Sequence, residues 1–136
     1  MKLTNTHNMK RKSGMTLLEL TVVILVLLSL ISILFIGARA WKKGSDRAAN
    51  VLNLRNVQQA VRAHANVHTL AIGDTLVDTD IVGANKYLST ITAPNTDITY
   101  TYDAVVPAFG NLYLNAAYAG TSAADYEPAA ALYADW

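Results

Sequence analysis

The chain has 136 residues, 52% of them hydrophobic, and it contains no cysteine. This length allows one small domain beside an apolar N-terminal segment, and that domain must fold without disulfide bonds. The missing cysteine excludes thiol catalysis, the scattered glycines exclude a phosphate-binding glycine loop, and no Ser-His-Asp set stands out, so we expect no enzyme.

The formal net charge of +1 conceals a segregation of charge along the chain. A single acid, Asp46, accompanies the basic residues of positions 39–62, which are Arg39, Lys42, Lys43, Arg47, Arg55 and Arg62. Lys86 is the only base among the acids that follow position 70, which are Asp74, Asp78, Asp80, Asp97, Asp103, Asp125, Glu127 and Asp135. This polarity favours attraction between copies of the chain, or else describes a solvated surface. The basic segment is sparse and poor in aromatic residues, so nucleic acid is not expected as a partner.

The first element in chain order is a long apolar run that follows a basic patch. Lys10-Arg11-Lys12 leads into the small residues Ser13-Gly14, and Leu20 to Ala38 is almost entirely apolar. About 19 such residues form roughly 28 Å of helix, which is enough to cross a bilayer. The apolar core of a secretory signal peptide is shorter and its cleavage site lies after it. We therefore predict a membrane-spanning helix over Leu20 to Ala38, called the span below, with a plain signal anchor as the simplest alternative.

Glu19 is the unexpected residue of this segment, because it lies one turn inside a helix that is otherwise apolar. A charged side chain within a bilayer costs about 2.5 kcal/mol or more, so an acid at this position predicts a function and a partner. Its burial becomes tolerable when a cation pairs with it in a medium of low dielectric constant.

The segment Gly14-Met15-Thr16-Leu17-Leu18-Glu19 resembles the N-terminus of type IV pilins and of the pseudopilins of type II secretion systems. In that family a basic leader ends in glycine, and a prepilin peptidase cleaves after it. The resemblance implies cleavage between Gly14 and Met15, N-methylation of Met15, and recognition by Glu19 of the N-terminal amine of a neighbouring subunit.

Two positions depart from the family pattern. Met15 stands where phenylalanine is more frequent, and methionine is still an apolar residue that packs easily. No proline occurs near Ile36, where many members kink the helix, so a local break would depend on Gly37. Glycine is the weaker helix breaker, at about 1 kcal/mol against about 3 kcal/mol for proline.

The resemblance also implies a function, partners and a location. The chain would be a non-enzymatic structural subunit of a type IV pilus-like or type II secretion pseudopilus filament; DNA-uptake filaments share this N-terminus. Its partners would be prepilin peptidase, copies of itself, other pilin-like subunits and an inner-membrane assembly platform. The family's peptidase acts on the cytoplasmic face, which implies a single-pass protein of the bacterial inner membrane with a cytoplasmic N-terminus and a periplasmic head, later part of a periplasmic or cell-surface filament. The alternative is a membrane-anchored adhesin or ligand-binding module that does not polymerise.

The basic residues do not decide which end of the span faces the cytoplasm, since they flank the span on both sides. Trp41, with Lys42 and Lys43 beside it, has the character of an interfacial anchor.

Helical periodicity continues after the span, where apolar residues recur at spacings of three and four, namely Val51, Leu54, Val57 (or Gln58), Val61 and Ala65. We predict one helix from Thr16 to about Val67, ended by Ile72-Gly73-Asp74. Residues 97–105 and 111–116 are rich in β-formers and predict two antiparallel strands joined by a short loop.

A small sheet of this kind would cover the apolar face of the helix, since neither element can bury that face alone. The expected fold class is α+β, with a long N-terminal transmembrane helix continuing as a stem packed against a small antiparallel sheet, as in pilins. The expected organisation is a leader (1–14), a transmembrane and assembly helix (15–41), an amphipathic stem (42–70) and a small acidic head (71–136). The last residues, 121–136, fit either an irregular edge or a third strand.

His64 and His68 have a spacing that lets two imidazoles share a zinc ion, but no glutamate and no third ligand accompany them. Packing or surface histidines are the simpler interpretation.

Asp78-Thr79-Asp80 begins like a calcium loop, yet Ser89 occupies the position of the bidentate glutamate, so we expect a helix cap. Major pseudopilins often bind calcium in a C-terminal loop, and Asp125, Glu127 and Asp135 offer carboxylates there, but their spacing identifies no site. No cofactor is expected, and calcium is the one candidate.

Overall fold

The computed structural model describes Gly14, residues 16–120 and residues 123–136. A long helix and a two-stranded antiparallel sheet give the α+β class. The elements are α1 (Leu17–His68), β1 (Ile98–Tyr102), β2 (Leu114–Tyr118) and α2 (Ala123–Tyr126), with 3-10 turns at Asp78–Asp80 and Ala130–Leu132. The chain divides into two compact units between Ala38 and Arg39.

Helix α1 confirms the prediction of one uninterrupted helix over the span and the stem. Its sequence contains no proline, and the backbone stays helical through Gly37 and Gly44. The break considered at Gly37 is therefore absent from α1. A single glycine weakens a helix without removing its hydrogen bonds, and proline is needed for that.

The helix ends earlier than the glycine signal indicated. Thr69 takes a positive φ of 54°, and the backbone N–H of Leu70 donates to the carbonyl of Ala65 at 2.9 Å. This is the hydrogen bond of a Schellman closure, with threonine where glycine is usual. Gly73, also at positive φ, belongs to the next turn, and its N–H donates to the carbonyl of Val106 at 2.9 Å.

Strands β1 and β2 confirm the predicted antiparallel pair, with Ile98 opposite Tyr118 and Tyr102 opposite Leu114. Both strands are five residues long, and β2 begins later than predicted. The connection between them is no short loop, because residues 104–106 pair with residues 73–76 through the Thr75 and Val105 bridge. In residues 123–136, α2 and a 3-10 turn replace the third strand that was considered.

The hydrophobic core of the second unit lies on the predicted apolar face of the stem. That face contributes Leu54, Val57, Ala60, Val61 and Ala65, and the head contributes Leu76, Ile81, Val106, Tyr113 and Leu114. Each large side chain buried in this way contributes about 1.5–3 kcal/mol. Tyr113 is fully buried and its hydroxyl donates to the carbonyl of Leu76 at 3.1 Å. Burial, aided by the carboxylates of Asp78 and Asp103, raises the pKa of Tyr113 to about 12.

Candidate functional site at the start of the apolar helix

Thr16 and Glu19 bond each other at the beginning of α1. The backbone N–H of Thr16 donates to Oε2 of Glu19 at 3.2 Å, and the backbone N–H of Glu19 donates to Oγ1 of Thr16 at 3.3 Å. This reciprocal pair is a capping box, with Thr16 at the N-cap and Glu19 at the third helical position. Two backbone donors that lack a partner within the helix are thereby satisfied, and a negative charge lies at the positive end of the helix dipole.

The capping box gives Glu19 a local structural role that the sequence reasoning missed. The signal was present, because Thr-x-x-Glu before an apolar run is a recognised helix start. The carboxylate of Glu19 is exposed, and no cation of the described residues lies within 4.0 Å of it. Glu19 thus has one partner from its own helix and an open side.

The span follows directly and is exposed along its whole length. An 18-residue window of α1 has a mean hydropathy of 3.0, so this helix is long and apolar enough to cross a membrane. Its hydroxyl groups bond to carbonyls of their own helix: Ser29 to Leu25 at 2.8 Å, and Ser32 to Leu28 at 2.8 Å. Thr21, one turn into α1, does the same with Leu18 at 2.8 Å. An apolar medium therefore meets no unsatisfied hydroxyl on this helix surface.

The processing residues are described only in part. Gly14 is exposed and outside the helix, and a Cβ built on it would meet no described atom within 4 Å. Met15, Ser13 and the basic leader lie outside the described residues. The structure therefore brings Glu19 together with Thr16, while the peptide bond expected to be cleaved is not described.

Two of the basic residues just after the span are paired with carboxylates, one within α1 and one in the head. Lys42 Nζ lies 3.0 Å from Asp46 Oδ2, and Lys43 Nζ lies 2.7 Å from Asp125 Oδ2. The hydrogen bond and charge of Asp125 raise the pKa of Lys43. A hydrogen bond from Asn95, together with Lys42, lowers the pKa of Asp46. The pair of Lys43 and Asp125 thus joins the basic and acidic segments within one chain, and this attraction needs no second copy.

Asn50 of the stem is fully buried and bonds to three elements of the head. Its amide nitrogen donates to the hydroxyl of Tyr118 at 3.0 Å and to the carbonyl of Tyr126 at 3.1 Å. Its amide oxygen accepts the hydroxyl of Tyr100 at 2.8 Å. One stem side chain therefore joins β1, β2 and α2.

Gln58 and Arg62 likewise join the stem to segments of the head that lie outside the two strands. Gln58 donates to the carbonyl of Asn111 at 3.1 Å and accepts from the N–H of Tyr113 at 3.1 Å. Arg62 donates to the carbonyls of Pro107 at 2.8 Å and of Trp136 at 3.0 Å. Backbone groups without a strand partner are thereby satisfied by stem side chains. Sequence reasoning missed this, although polar residues bordering an apolar stripe were visible.

The two histidines of the stem stack, with ring centroids 4.0 Å apart and 23° between the ring planes. His64 is buried and packs edge-on against Tyr87 at 5.8 Å. His68 Nδ1 lies 3.1 Å from the carbonyl oxygen of His64 and must be the donor, because a carbonyl only accepts. Burial lowers the pKa of His64, and the neighbouring His68 lowers it further.

Two of the carboxylates considered for calcium have other partners. Asp125 pairs with Lys43, and Asp78 accepts from the adjacent N–H of Thr79 at 2.9 Å. The helix-cap prediction for Asp78 was wrong, because it belongs to the 3-10 turn and the N-cap position is Val77. Within residues 16–120 and 123–136, no three His, Cys, Asp or Glu side chains form a group that could hold a metal ion.

The comparisons with known proteins found no matching family model, no matching curated protein and no matching solved structure.

Proposed function

We propose that the chain is a structural subunit of a type IV pilus-like or type II secretion pseudopilus filament. In this proposal prepilin peptidase cleaves after Gly14, the new N-terminus at Met15 is methylated, and copies assemble through their apolar helices. The chain is held before assembly in the inner membrane as a single-pass protein, with its head on the periplasmic side.

The observation that carries the proposal is a carboxylate at the first turn of α1, just before a span that is exposed along its whole length. Glu19 satisfies one N–H of its own helix end, and no cation of the described residues lies within 4.0 Å of its exposed carboxylate. In a bilayer or a filament core such a carboxylate requires a cationic partner, and the amine of a neighbouring Met15 has the right charge and chemistry.

The exposed span supports the same assembly. An apolar surface of this size is stable in lipid, and outside lipid it must be covered by similar helices. Because the hydroxyls of Thr21, Ser29 and Ser32 are already bonded within α1, the surface offered to lipid or to another copy is essentially apolar. Transfer from the bilayer to a bundle of helices therefore breaks no hydrogen bond of these side chains.

Three substitutions separate the local role of Glu19 from a role in assembly. Glu19→Gln keeps a side chain that is competent in a capping box but removes the charge. Glu19→Ala removes both, and Thr16→Ala weakens the cap by about 0.5–2 kcal/mol while keeping the carboxylate.

If Glu19 recognises an amine, both Glu19 variants lose filaments in electron micrographs of overexpressing cells, and Thr16→Ala keeps them. Membrane levels of all three variants, measured by immunoblot, should stay unchanged or rise. Normal filaments with Glu19→Gln would contradict the amine partner and leave Glu19 as a helix cap.

Processing is tested separately by the mass of the purified chain. A mature chain that begins at methylated Met15 supports the filament pathway. A chain that retains Gly14 would contradict it and favour a membrane-anchored adhesin or ligand-binding module.

A further inference from the structure

We propose that the base of the second unit binds the phosphodiester group of an anionic phospholipid. The candidate site is an open cavity of about 280 Å³ whose cationic lining residues are Arg39, Lys42 and Lys43. It is separate from Glu19 and Thr16, and it requires the span to lie in a bilayer but does not require polymerisation.

The position of the cavity along the chain determines which anion can reach it. Arg39 is the first residue after the span, and α1 continues through it without interruption. A cation at this point of a membrane helix lies at the depth of the lipid headgroups, where phosphates are the abundant anions. The exposed Trp41, with 79% of its surface accessible, is an aromatic residue suited to the same depth.

The cations of the cavity keep donors available for a phosphate. Lys42 and Lys43 each have one carboxylate partner, at 3.0 Å and 2.7 Å, and an ammonium has three donors. Arg39 has no carboxylate within 4.0 Å among the described residues, and its planar guanidinium suits bidentate bonding to phosphate.

The pairing of the charges favours a monoanion with an uncharged headgroup alcohol. Two carboxylates, Asp46 and Asp97, also line the cavity, and Asp125 pairs with Lys43 beside it, so Arg39 is the lining cation with no carboxylate within 4.0 Å among the described residues. Asp46 is held by Lys42 and by Asn95, whose amide donates to it at 2.8 Å. A phosphodiester carries a single negative charge and matches the single guanidinium of Arg39. Phosphatidylglycerol has this chemistry, and it is the probe chosen for the test.

The test uses the full chain in detergent micelles doped with phosphatidylglycerol, phosphatidylethanolamine or phosphatidylcholine, with retained lipid measured by native mass spectrometry. We expect preferential retention of phosphatidylglycerol. Arg39→Gln should weaken that retention about fivefold, the effect of one cation near a membrane surface. Arg39 is exposed, so this variant should fold normally, which its circular dichroism spectrum checks.

Arg47→Gln is the matched control, because Arg47 is an exposed arginine of the same helix that does not line the cavity. An equal loss in both variants would mean general surface attraction and would overturn the site. Equal retention of phosphatidylethanolamine would overturn the choice of an anionic lipid, and displacement by inorganic phosphate would overturn a lipid source. Filament formation is a separate readout, so failure of this inference leaves the proposed function untouched.

Discussion

Ser29 in the span and Asn50 in the stem are both polar residues of helix α1, and their hydrogen bonds go to different places. Ser29 bonds to a carbonyl one turn earlier in its own helix, whereas Asn50 bonds to Tyr100, Tyr118 and Tyr126 of the head. The span is therefore self-sufficient and tolerates a change of surroundings. The stem differs, because its polar side chains bond to the head and the structure of the head depends on them.

The largest expected effect on stability comes from truncating a side chain on the buried face of the stem. Leu54 is 1% exposed, so Leu54→Ala should lower the free energy of unfolding by about 2–5 kcal/mol. Leu52 on the same helix is 57% exposed, and Leu52→Ala should change it by less than about 0.5 kcal/mol. Urea unfolding of the full chain in micelles, followed by near-ultraviolet circular dichroism, measures both. Equal effects would mean that the two faces of the stem are not distinguished by packing.

The second comparison removes one polar side chain from each part of α1. Asn50→Ala leaves two tyrosine hydroxyls and the carbonyl of Tyr126 without that partner, and we expect a loss of about 2 kcal/mol in the same unfolding assay. Ser29→Ala should leave the unfolding of the head unchanged, because it removes only a bond within the span. A head that is indifferent to Asn50→Ala would contradict the dependence described above.

A third, smaller effect depends on pH at the upper end of the stem. The groups that face His64 are His68, Asp80, Lys86 and Tyr87, and burial lowers the pKa of His64 in the folded state. Below about pH 6.5, the ordinary pKa of histidine, the unfolded chain binds the proton more readily than the folded one. Stability should therefore fall as the pH drops through this range.

Thermal unfolding midpoints measured between neutral and mildly acidic pH check this expectation. His64→Leu should flatten the profile because it removes the titrating group, and His68→Gln, which keeps His64, should preserve part of the slope. A wild-type midpoint independent of pH over this range would show that His64 does not titrate differently in the two states.

The smallest expected effect is at the exposed pair of Lys43 and Asp125. Both side chains are about half exposed, at 49% and 43%, so solvent and salt screen their interaction. Asp125→Asn should lower the thermal unfolding midpoint slightly at low ionic strength, and this shift should vanish at high ionic strength. A shift of the same size at high salt would indicate that Asp125 acts through its hydrogen bond and not through its charge.

Features of the fold that depend on local periodicity were predictable from the sequence. The continuous helix and its buried face at Leu54, Val57 and Val61 followed from apolar spacing and the absence of proline. The capping box at Thr16 and Glu19 was equally local, but it was missed because the acid was interpreted only as an intramembrane charge.

Features that depend on distant partners were not predictable. The pairing of residues 73–76 with 104–106 joins segments about 30 residues apart, and nothing in either segment specifies the other. From the sequence alone, Asn50 and Gln58 are polar residues of the kind that usually face solvent. Their burial is explained only by the distant carbonyls to which they donate. Thr69 at positive φ could not be expected either, since β-branched residues are rare in that conformation.

The hydrogen bonds from Asn50, Gln58 and Arg62 to the head have a consequence for the order of folding during synthesis. A two-stranded sheet is marginally stable on its own, so a peptide of residues 71–136 should remain unstructured. Chains are synthesised at about 5–20 residues per second, and helices form much faster than that. Because the stem precedes the head, we expect its helix to form before β1 and β2 emerge and to act as a template for the segments that follow.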